Sequence, residues 1–369
     1  MMLVPGSPEE LAAQLAEANS SAQSVTLGGN FTKSRMGGPI AASDVTISTA
    51  KLNRVLEYEP RDLTISVEAG ITYRDLSRVL AEHRQMIPLD PHFCDNATAG
   101  GILAANVSGP RRRLYGTARD MVIGMTFATL EGKLVRTGGM VVKNVAGLDM
   151  GKLMIGSFGT LAAIATVNFR VHPVPHATRT FIQEFENIAG LTAARDAVLK
   201  SQLQPSSIDI LKSAGSYQLL IQAGGSTAVL DRYSRELTGA QVLEGDAERN
   251  LWNDIRELTP RFLAENNRGA VLRMSCALSE VGRVLDWMPS TALARAGSGV
   301  CYGYFPQVQE LALLTDFGYG SIIEFAPQSF RESASLWPVP GSDFEMMKKI
   351  KDMFDPRALL NRGRLYGRI

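Results

Sequence analysis

Glycine is distributed unevenly along this 369-residue chain, and that distribution constrains the fold more than any other feature. Many of the 34 glycines gather in the first half, as Gly28-Gly29, Gly37-Gly38, Gly100-Gly101 and Gly138-Gly139, followed by Gly147, Gly151, Gly156 and Gly159. Glycine at a strand end lets the main chain adopt positive φ and approach a ligand closely, and successive N–H groups there can hold phosphate. A single pair marks a turn more often than a ligand, but four pairs in one region favour a phosphate-bearing ligand.

Two common phosphate-binding motifs do not account for these glycines. No Gly-x-Gly-x-x-Gly opens a helix directly after a predicted strand, so a Rossmann-type dinucleotide site is not supported. Residues 147–153, Gly-Leu-Asp-Met-Gly-Lys-Leu, are one residue short of a P-loop and lack the Ser or Thr that would hold Mg²⁺. The glycines therefore indicate a different architecture.

Charge and hydropathy exclude several classes of protein. The chain has 38 basic and 37 acidic residues, and this balance predicts no binding to nucleic acid or to an anionic membrane. No apolar run reaches the roughly 18 residues that span a bilayer, and residues 1–10 lack the apolar core of a secretory signal. We therefore expect no nucleic-acid partner and no transmembrane segment.

Cysteine and histidine are too scarce for several metal-dependent chemistries. The three cysteines, Cys94, Cys276 and Cys301, form no Cys-x-x-Cys pair, which fits a reducing compartment and excludes an iron–sulfur cluster held by this chain alone. His172 and His176 have helical spacing, but the prolines between them argue against a helix and so against a zinc site. We predict no metal site.

Local signals predict where several elements begin and end. Ser7, Pro8 and Glu10 supply a cap, a first-turn proline and an acidic capping partner for a helix over residues 7–19. The turn signal at residues 131–132 predicts a β-hairpin. These elements place a mixed α/β region at the start of the chain.

Length and a proline cluster predict two domains. A chain of 369 residues exceeds one ordinary domain, and the prolines at residues 173–175 close a predicted strand. We expect one domain over residues 1–174, an antiparallel α+β domain over residues 175–342, and a C-terminal helix and tail over residues 343–369 that returns to the first domain. Residues 88–116 predict a loop that is too long for a simple connection, which indicates a functional segment.

Four segments of the first domain form an ordered set of motifs. They are Leu-Gly-Gly-Asn-Phe-Thr-Lys at 27–33, Thr-Ala-Gly-Gly-Ile-Leu-Ala-Ala-Asn at 98–106, Lys-Asn-Val-Ala-Gly-Leu-Asp at 143–149 and Gly-Ser-Phe-Gly-Thr-Leu-Ala-Ala-Ile at 156–164. Together they resemble the PCMH-type FAD-binding domain of vanillyl-alcohol-oxidase-like flavoproteins. The segment 108–113 and the ending at 354–366 resemble bacterial glycolate oxidase E subunits in particular. The resemblance covers nearly the whole chain, tightly to Pro175 and loosely after it.

The resemblance implies a fold and a cofactor. The fold would be a PCMH-type FAD-binding domain of two α/β subdomains, followed by an α+β antiparallel-sheet cap domain. Main-chain N–H groups of residues 28–32 and 98–101 would hold the FAD pyrophosphate, with Lys33 or Arg111 as charge partners. The cofactor-binding residues that it implies are Gly28, Gly29, Asn30, Phe31, Thr32, Lys33, Pro91, Thr98, Ala99, Gly100, Gly101, Ala104, Ala105, Asn106, Ser108, Gly109, Lys143, Asn144, Gly147, Gly159 and Ile164.

The chain departs from the family pattern at several positions. Phe31 stands where some relatives carry the histidine that bonds covalently to FAD, so we expect non-covalent FAD. Leu148 replaces a tyrosine and Arg362 replaces a proline, and we expect both changes to be structural. The run Arg111-Arg112-Arg113 is by default a solvated loop, with an acidic substrate or a protein partner as the alternative.

The groups that would oxidise a 2-hydroxy acid are hard to find in this sequence. Such a reaction needs a base for the hydroxyl proton and cations for the carboxylate. The related D-subunits and D-2-hydroxy-acid dehydrogenases use a histidine-rich metal site in the second half, whereas no histidine follows His176 here. His92, near the second motif, is the one histidine that we consider as catalytic, and no catalytic residue is assigned.

Three hypotheses follow from the resemblance. In the first, the chain is the FAD-binding subunit of a glycolate (2-hydroxy acid) oxidase complex, cytoplasmic or peripheral to the inner face of the membrane through its partners. Those partners would be a catalytic flavoprotein subunit and an iron–sulfur subunit. In the second, the chain is a self-sufficient FAD-dependent 2-hydroxy-acid dehydrogenase that uses Arg273, Arg295 or Tyr302. In the third, it is a structural subunit that has lost FAD because of Asn30-Phe31.

Overall fold

The computed structural model describes residues 1–38, 42–140, 149–313 and 320–367 and residue 369. The chain divides into two compact units, each with its own core. The first unit comprises Met1–Val107, Thr117–Pro173 and Arg331–Ile369, and the second comprises Ser108–Gly116 and Val174–Phe330. Two segments therefore cross from one unit to the other. Ser108–Gly116 belongs to the second unit although the residues before and after it belong to the first, and the C-terminal segment Arg331–Ile369 returns to the first unit.

Short strands and helices alternate through both units. The strands are β1 Met2–Leu3, β2 Val25–Gly28, β3 Val45–Ser48, β4 Val55–Glu59, β5 Thr64–Glu68, β6 Gln85–Met86, β7 Val122–Ala128, β8 Leu134–Gly138, β9 Ala163–Arg170, β10 His172–Pro173, β11 Ala177–Phe185, β12 Ser207–Ser213, β13 Ser216–Gly225, β14 Gln241–Leu243, β15 Ala270–Ser275, β16 Ala292–Arg295, β17 Val300–Phe305 and β18 Gly320–Phe325. The helices are α1 Pro8–Ser20, α2 Tyr73–Ala81, α3 Ala99–Ala104, α4 Arg112–Tyr115, α5 Ala118–Met121, α6 Met150–Met154, α7 Ile188–Lys200, α8 Thr227–Glu236, α9 Gly245–Arg256, α10 Leu258–Glu265, α11 Val281–Trp287, α12 Gln328–Arg331 and α13 Phe344–Phe354. Across the described part of the chain, none of these helices has the length and apolarity needed to cross a membrane.

The first helix shows how local sequence signals set an element. Ser7 caps α1, because its hydroxyl accepts a hydrogen bond from the Glu10 amide at 3.1 Å. The Glu10 carboxylate reaches one residue further back than a standard capping box and accepts from the Gly6 amide at 2.7 Å. Leu11 and Leu15 are fully buried on the inner face of the helix. The helix predicted from Ser7, Pro8 and Glu10 is confirmed.

Two sheets carry most of the first unit. The strands β1, β3 and β2 form a parallel sheet, and an antiparallel sheet has the order β4-β5-β9-β7-β8. The predicted hairpin at residues 131–132 is confirmed, since Ala128 pairs with Leu134 across the turn. A core of buried side chains from α1, β3, β9 and the C-terminal segment includes Leu15, Ile47 and Leu360. The C-terminal segment is therefore part of the core of this unit.

The second unit is an α+β layer, as predicted. Its antiparallel sheet has the order β14-β11-β13-β12-β16-β17-β15-β18. The helices α7, α8 and α11 contact the sheet, and the core between them includes Leu219, Ile221 and Met274. Side chains alternate along a strand, so the residues next to these core positions point to the other face of the sheet. This holds for β12, β16, β17, β15 and β18. That face carries polar residues and is described below.

Candidate functional site

A cleft in the first unit is lined by the glycine-rich loops. It encloses about 730 Å³, counted out to its open mouth. The predicted residues that line it are Gly28, Gly29, Asn30, Phe31, Thr32, Lys33, Thr98, Gly100, Gly101, Ala104, Ala105, Gly159 and Ile164. The lining residues that we did not predict are Leu27, Ser34, Thr49, Phe158, Ala162, Asn361 and Arg364. Motifs far apart in the sequence thus converge on one cavity.

The first loop presents unused hydrogen-bond donors to the cleft. The strand β2 ends at Gly28, and the chain then turns through Phe31, whose φ of 53° is in the left-handed region. The amides of Asn30, Phe31 and Thr32 donate to no other group among the described residues. Successive free N–H groups around a left-handed residue form a concave site for an anion. This loop is suited to hold a phosphate.

Glycine is required where this loop turns. A Cβ on Gly28 would lie 2.6 Å from a ring carbon of Phe31, and a Cβ on Gly29 would lie 2.3 Å from the Thr98 hydroxyl oxygen. Both distances are shorter than real Cβ contacts, so a side chain at Gly28 would have to displace the Phe31 ring and one at Gly29 would have to displace the Thr98 side chain. The Phe31 ring folds back over Gly28 instead of projecting away from the loop.

Three of the four amides that the second loop was expected to offer to phosphate already donate within the protein. Ala99 donates its amide to the Ile71 carbonyl at 2.9 Å, and Gly100 donates to the Ala69 carbonyl at 2.7 Å. The Thr98 hydroxyl caps α3 and accepts from the Gly101 amide at 3.3 Å. We expected the amides of residues 98–101 to hold phosphate, whereas in the structure the N–H groups of Ala99, Gly100 and Gly101 have acceptors within the protein.

The C-terminal segment supplies one wall of the cleft. Asn361 donates to the Leu27 carbonyl at 3.1 Å and to the Phe158 carbonyl at 2.7 Å, and it accepts from the Leu27 amide at 2.7 Å. Arg364 donates to the Lys33 carbonyl at 3.0 Å, and its guanidinium carbon lies 5.4 Å from the centre of the Phe158 ring. These contacts fix the segment directly against the first loop.

The described wall of the cleft contains two basic side chains and no acidic one. Lys33 and Arg364 are 7% and 6% exposed, and no Asp or Glu is among the described residues that line the cavity. Burial and, to a smaller extent, the nearby charge of Arg331 together lower the pKa of Arg364 to about 10. Arg364 is nevertheless cationic at neutral pH. A cavity with two buried cations and free amides suits a diphosphate.

Several predicted residues lie elsewhere. Ala99 and Pro91 are buried and do not line the cleft, and Asn106 is exposed. Ser108 and Gly109 belong to the second unit. The predicted residues that lie outside the described part of the chain are Lys143, Asn144 and Gly147.

The catalytic candidate His92 and the phosphate-partner candidate Arg111 do not line the cleft either. His92 does not line the cavity, and its ring packs edge-on against Phe93 with 5.3 Å between ring centres. Arg111 belongs to the second unit, whereas Lys33 is in the cleft. Of the two cations that we considered as phosphate partners, Lys33 alone lines this cavity.

The fold and this cleft define a flavoprotein with a PCMH-type FAD-binding domain. Residues 1–138 match a family model described as "FAD binding domain". The chain is 31% identical to the D-lactate dehydrogenase of Anaerostipes hadrus, over 97% of this chain and 88% of that protein. It is 27% identical to glycolate oxidase subunit GlcE of Escherichia coli strain K12, over 98% of each chain. The chain belongs to this family of FAD-dependent oxidoreductases.

Two further comparisons extend this result. Glycolate oxidase subunit GlcD of Bacillus subtilis is 23% identical, over 86% of this chain and 78% of that protein. A solved structure of alkyldihydroxyacetonephosphate synthase superposes with a TM-score of 0.72 at 20% identity, over 98% of this chain and 75% of that one. The structural likeness supports the fold that we predicted, including the antiparallel-sheet domain.

FAD fits the residues that are present. The free amides of residues 30–32 and the two buried cations suit its diphosphate, and Gly28, Gly29 and Gly100 keep the space beside it open. Ala104, Ala105 and Ile164 give the cavity an apolar wall for the remainder of the cofactor. The comparisons and the cleft agree that FAD is the cofactor.

Proposed function

We propose that this chain is the FAD-binding subunit of a 2-hydroxy-acid oxidase complex of the glycolate oxidase type. It would hold FAD non-covalently and work with a catalytic flavoprotein subunit and an iron–sulfur subunit in the cytoplasm, or at the inner face of the membrane through those partners. The observation that carries the proposal is an imbalance between the two halves of the chain. The first unit has a well-formed flavin cleft, while no histidine follows His176 to serve as base or metal ligand.

The polar face of the second unit supports this division of labour. Arg295 forms an ion pair with Asp209, and both side chains are buried. Arg273 lies 3.4 Å from the Glu324 carboxylate. Tyr302 lies beside both arginines, and burial raises its pKa. Arginines that already face a carboxylate of their own chain are poorly placed to bind a substrate carboxylate, and a tyrosine with a raised pKa is a poor base.

The chemistry of such a subunit divides between cofactor and protein. FAD, when bound, supplies a two-electron acceptor. The amides of residues 30–32 would hold the diphosphate, Phe31 and Phe158 would give the cleft aromatic walls, and Lys33 and Arg364 would place positive charge close to the cofactor.

A comparison of the isolated chain with the co-expressed complex tests the proposal. We would record the visible absorption spectrum of each preparation before and after acid precipitation, and measure dye reduction with glycolate and with D-lactate. We expect flavin bands in both preparations, release of the flavin into the acid supernatant, and turnover by the complex alone. A colourless chain that still joins its partners after incubation with FAD would identify a structural subunit. Flavin in the acid pellet would contradict non-covalent binding.

A second candidate is a self-sufficient dehydrogenase, and Arg112 favours it. This half-buried arginine donates to the Ser108 hydroxyl at 3.1 Å and forms no ion pair with any described residue. Burial lowers its pKa, and the charges of Arg273 and Arg295 act in the same direction. The arginine run is therefore not a solvated loop at this position. Full turnover by the isolated chain, with a raised KM for glycolate in Arg112→Gln, would establish this candidate in place of the first.

A further inference from the structure

Arg364 is a buried cation that pairs with no acidic side chain of the described residues. Its side chain is 6% exposed and lines the flavin cleft. One terminal nitrogen donates to the Lys33 carbonyl at 3.0 Å, and the guanidinium carbon lies 5.4 Å from the centre of the Phe158 ring. Its Nε is fully buried and has no hydrogen-bond partner among the described residues, and no carboxylate of those residues pairs with it.

Such an arrangement is costly for the protein alone. Charged side chains are almost never fully buried unless they are paired, because desolvation of the charge is not repaid. The charge of Arg331 makes the cost larger, since Arg331 is also cationic and is only 4% exposed. The Arg331 guanidinium donates to the carbonyls of Ser34, Gly37 and Gly38, so it is anchored behind the loop. Arg364 therefore needs a negatively charged partner, and none of the described residues supplies one.

We propose that Arg364 is a ligand for the diphosphate of FAD, and that the C-terminal segment at residues 359–364 is thereby part of the cofactor site. Arg364 and the free amides of residues 30–32 line the same cavity, which has no described acidic residue in its wall. Charge-assisted donors to phosphate are among the strongest hydrogen bonds in proteins, and the arginine fork suits phosphate oxygens.

The segment is built to hold this arginine in place. Asn361 fixes it to the main chain of Leu27 and Phe158. Asp355 fixes its beginning, because its carboxylate accepts from the amides of Leu359 and Leu360 at 2.8 Å each. These anchors, together with the hydrogen bond from the Gly38 amide to the Arg364 carbonyl at 3.0 Å, limit the freedom of Arg364 and lower the entropic cost of its contact with a ligand.

The test measures FAD affinity and the stability of the apoprotein separately. The full-length apoprotein would be titrated with FAD by flavin fluorescence in the wild type, Arg364→Met, Arg364→Lys and Arg362→Gln. Arg362 is the matched control, since it lies on the same segment but is exposed, and within the described part of the chain it donates to the Ala42 carbonyl. We expect the FAD dissociation constant to rise about 10- to 100-fold in Arg364→Met. We expect partial recovery in Arg364→Lys and no change in Arg362→Gln.

Apoprotein stability distinguishes a ligand from a structural residue. A diphosphate ligand predicts that the melting temperature of apo Arg364→Met does not fall, because an uncompensated buried charge has been removed, while the rise in melting temperature on adding FAD shrinks. A fall in the apo melting temperature that matches the loss of FAD binding, with no recovery in Arg364→Lys, would make the residue structural and overturn the proposal. FAD affinity within twofold of the wild type in Arg364→Met would overturn it as well.

The inference rests on flavin binding at this cleft, and the experiment separates the two. If the wild-type apoprotein bound no FAD, both the proposed function and this inference would fall. If the wild type bound FAD and Arg364→Met bound it equally well, the proposed function would stand and only the role of Arg364 would be lost.

Discussion

Asn361 and Leu27, 334 positions apart in the sequence, are joined by a reciprocal pair of hydrogen bonds. The Leu27 amide donates to the Asn361 side-chain oxygen at 2.7 Å, and the Asn361 amide group donates to the Leu27 carbonyl at 3.1 Å. Asn361 thereby takes the place of a neighbouring strand residue at the point where β2 runs into the first cofactor loop. Its φ of 41° is in the left-handed region, which asparagine tolerates better than most residues.

Replacing Asn361 with alanine should therefore damage both stability and cofactor binding. The change leaves the Leu27 amide and the carbonyls of Leu27 and Phe158 without their partner in a buried setting. Each such loss costs about 1–3 kcal/mol, so we expect the free energy of unfolding to fall by about 3 kcal/mol or more. Urea denaturation of the apoprotein measures this change, and flavin fluorescence measures the weaker binding of FAD.

An exposed asparagine provides the control for that change. Asn250 lies on the solvent side of α9, so Asn250→Ala should leave both measurements within error. Equal stability in Asn361→Ala and the wild type would show that the segment is not held by this side chain.

Gly100→Ala tests whether the second loop acts through shape. A Cβ at this position would lie 2.9 Å from the Ala69 Cβ and 3.1 Å from the Ala69 carbonyl oxygen, so α3 must shift to accept it. Overpacking of this kind costs about 1–3 kcal/mol, and the shift should weaken FAD binding. Gly139→Ala is the control, because a Cβ there meets nothing within 4 Å. Tight FAD binding by Gly100→Ala would contradict a steric role for this loop.

Most of the cleft could be predicted from the sequence because its loops need glycine. At Gly28, Gly29 and Gly100 a neighbouring group lies too close to leave room for a Cβ. This need for glycine is visible in the sequence as the glycine pairs of the family motifs. What the motif does not reveal is which amides remain free. That depends on tertiary contacts such as the one between Gly100 and the Ala69 carbonyl, which no local pattern encodes.

The C-terminal wall of the cleft shows the other limit. Asn361 contacts Phe158 from 203 positions away, and nothing in the local sequence distinguishes Arg364 from a surface arginine. The ending at residues 354–366 resembles the family, yet a resemblance assigns no contact. The transfer of Ser108–Gly116 to the second unit is equally invisible, because it follows from packing rather than from propensity.

The two neighbouring cysteines of the second unit should differ in reactivity. Cys276 is half-buried, and a hydrogen bond from Cys301 lowers the pKa of its thiol. Cys301 is fully buried, and both that bond and desolvation raise the pKa of its thiol. Because the thiolate is the reactive form, iodoacetamide should modify Cys276 well before Cys301 in the folded protein. Mass spectrometry of a time course checks the order, and faster labelling of Cys301 would contradict it.

A buried ion pair should make the stability of the C-terminal segment depend on pH in a defined direction. Lys351 lies 2.6 Å from Asp355 and also donates to the Thr160 carbonyl at 2.7 Å. Burial lowers the pKa of Lys351, and the Asp355 charge opposes that effect. In Asp355→Asn the opposing charge is gone, so the pKa of Lys351 should fall further. The loss of one buried partner should also cost about 3–5 kcal/mol at pH 7.

The sign of the pH effect follows from proton binding. Between the lowered pKa of Lys351 in the folded protein and its value of about 10.4 in the unfolded chain, the unfolded state binds more protons, so stability rises with pH. We expect urea denaturation of Asp355→Asn to show a steeper rise between about pH 7 and about pH 10 than the wild type. The double variant Lys351→Met with Asp355→Asn should lose that extra slope, because the titrating amine is absent. A slope in the single variant equal to that of the double variant would show that Lys351 keeps its proton by another contact.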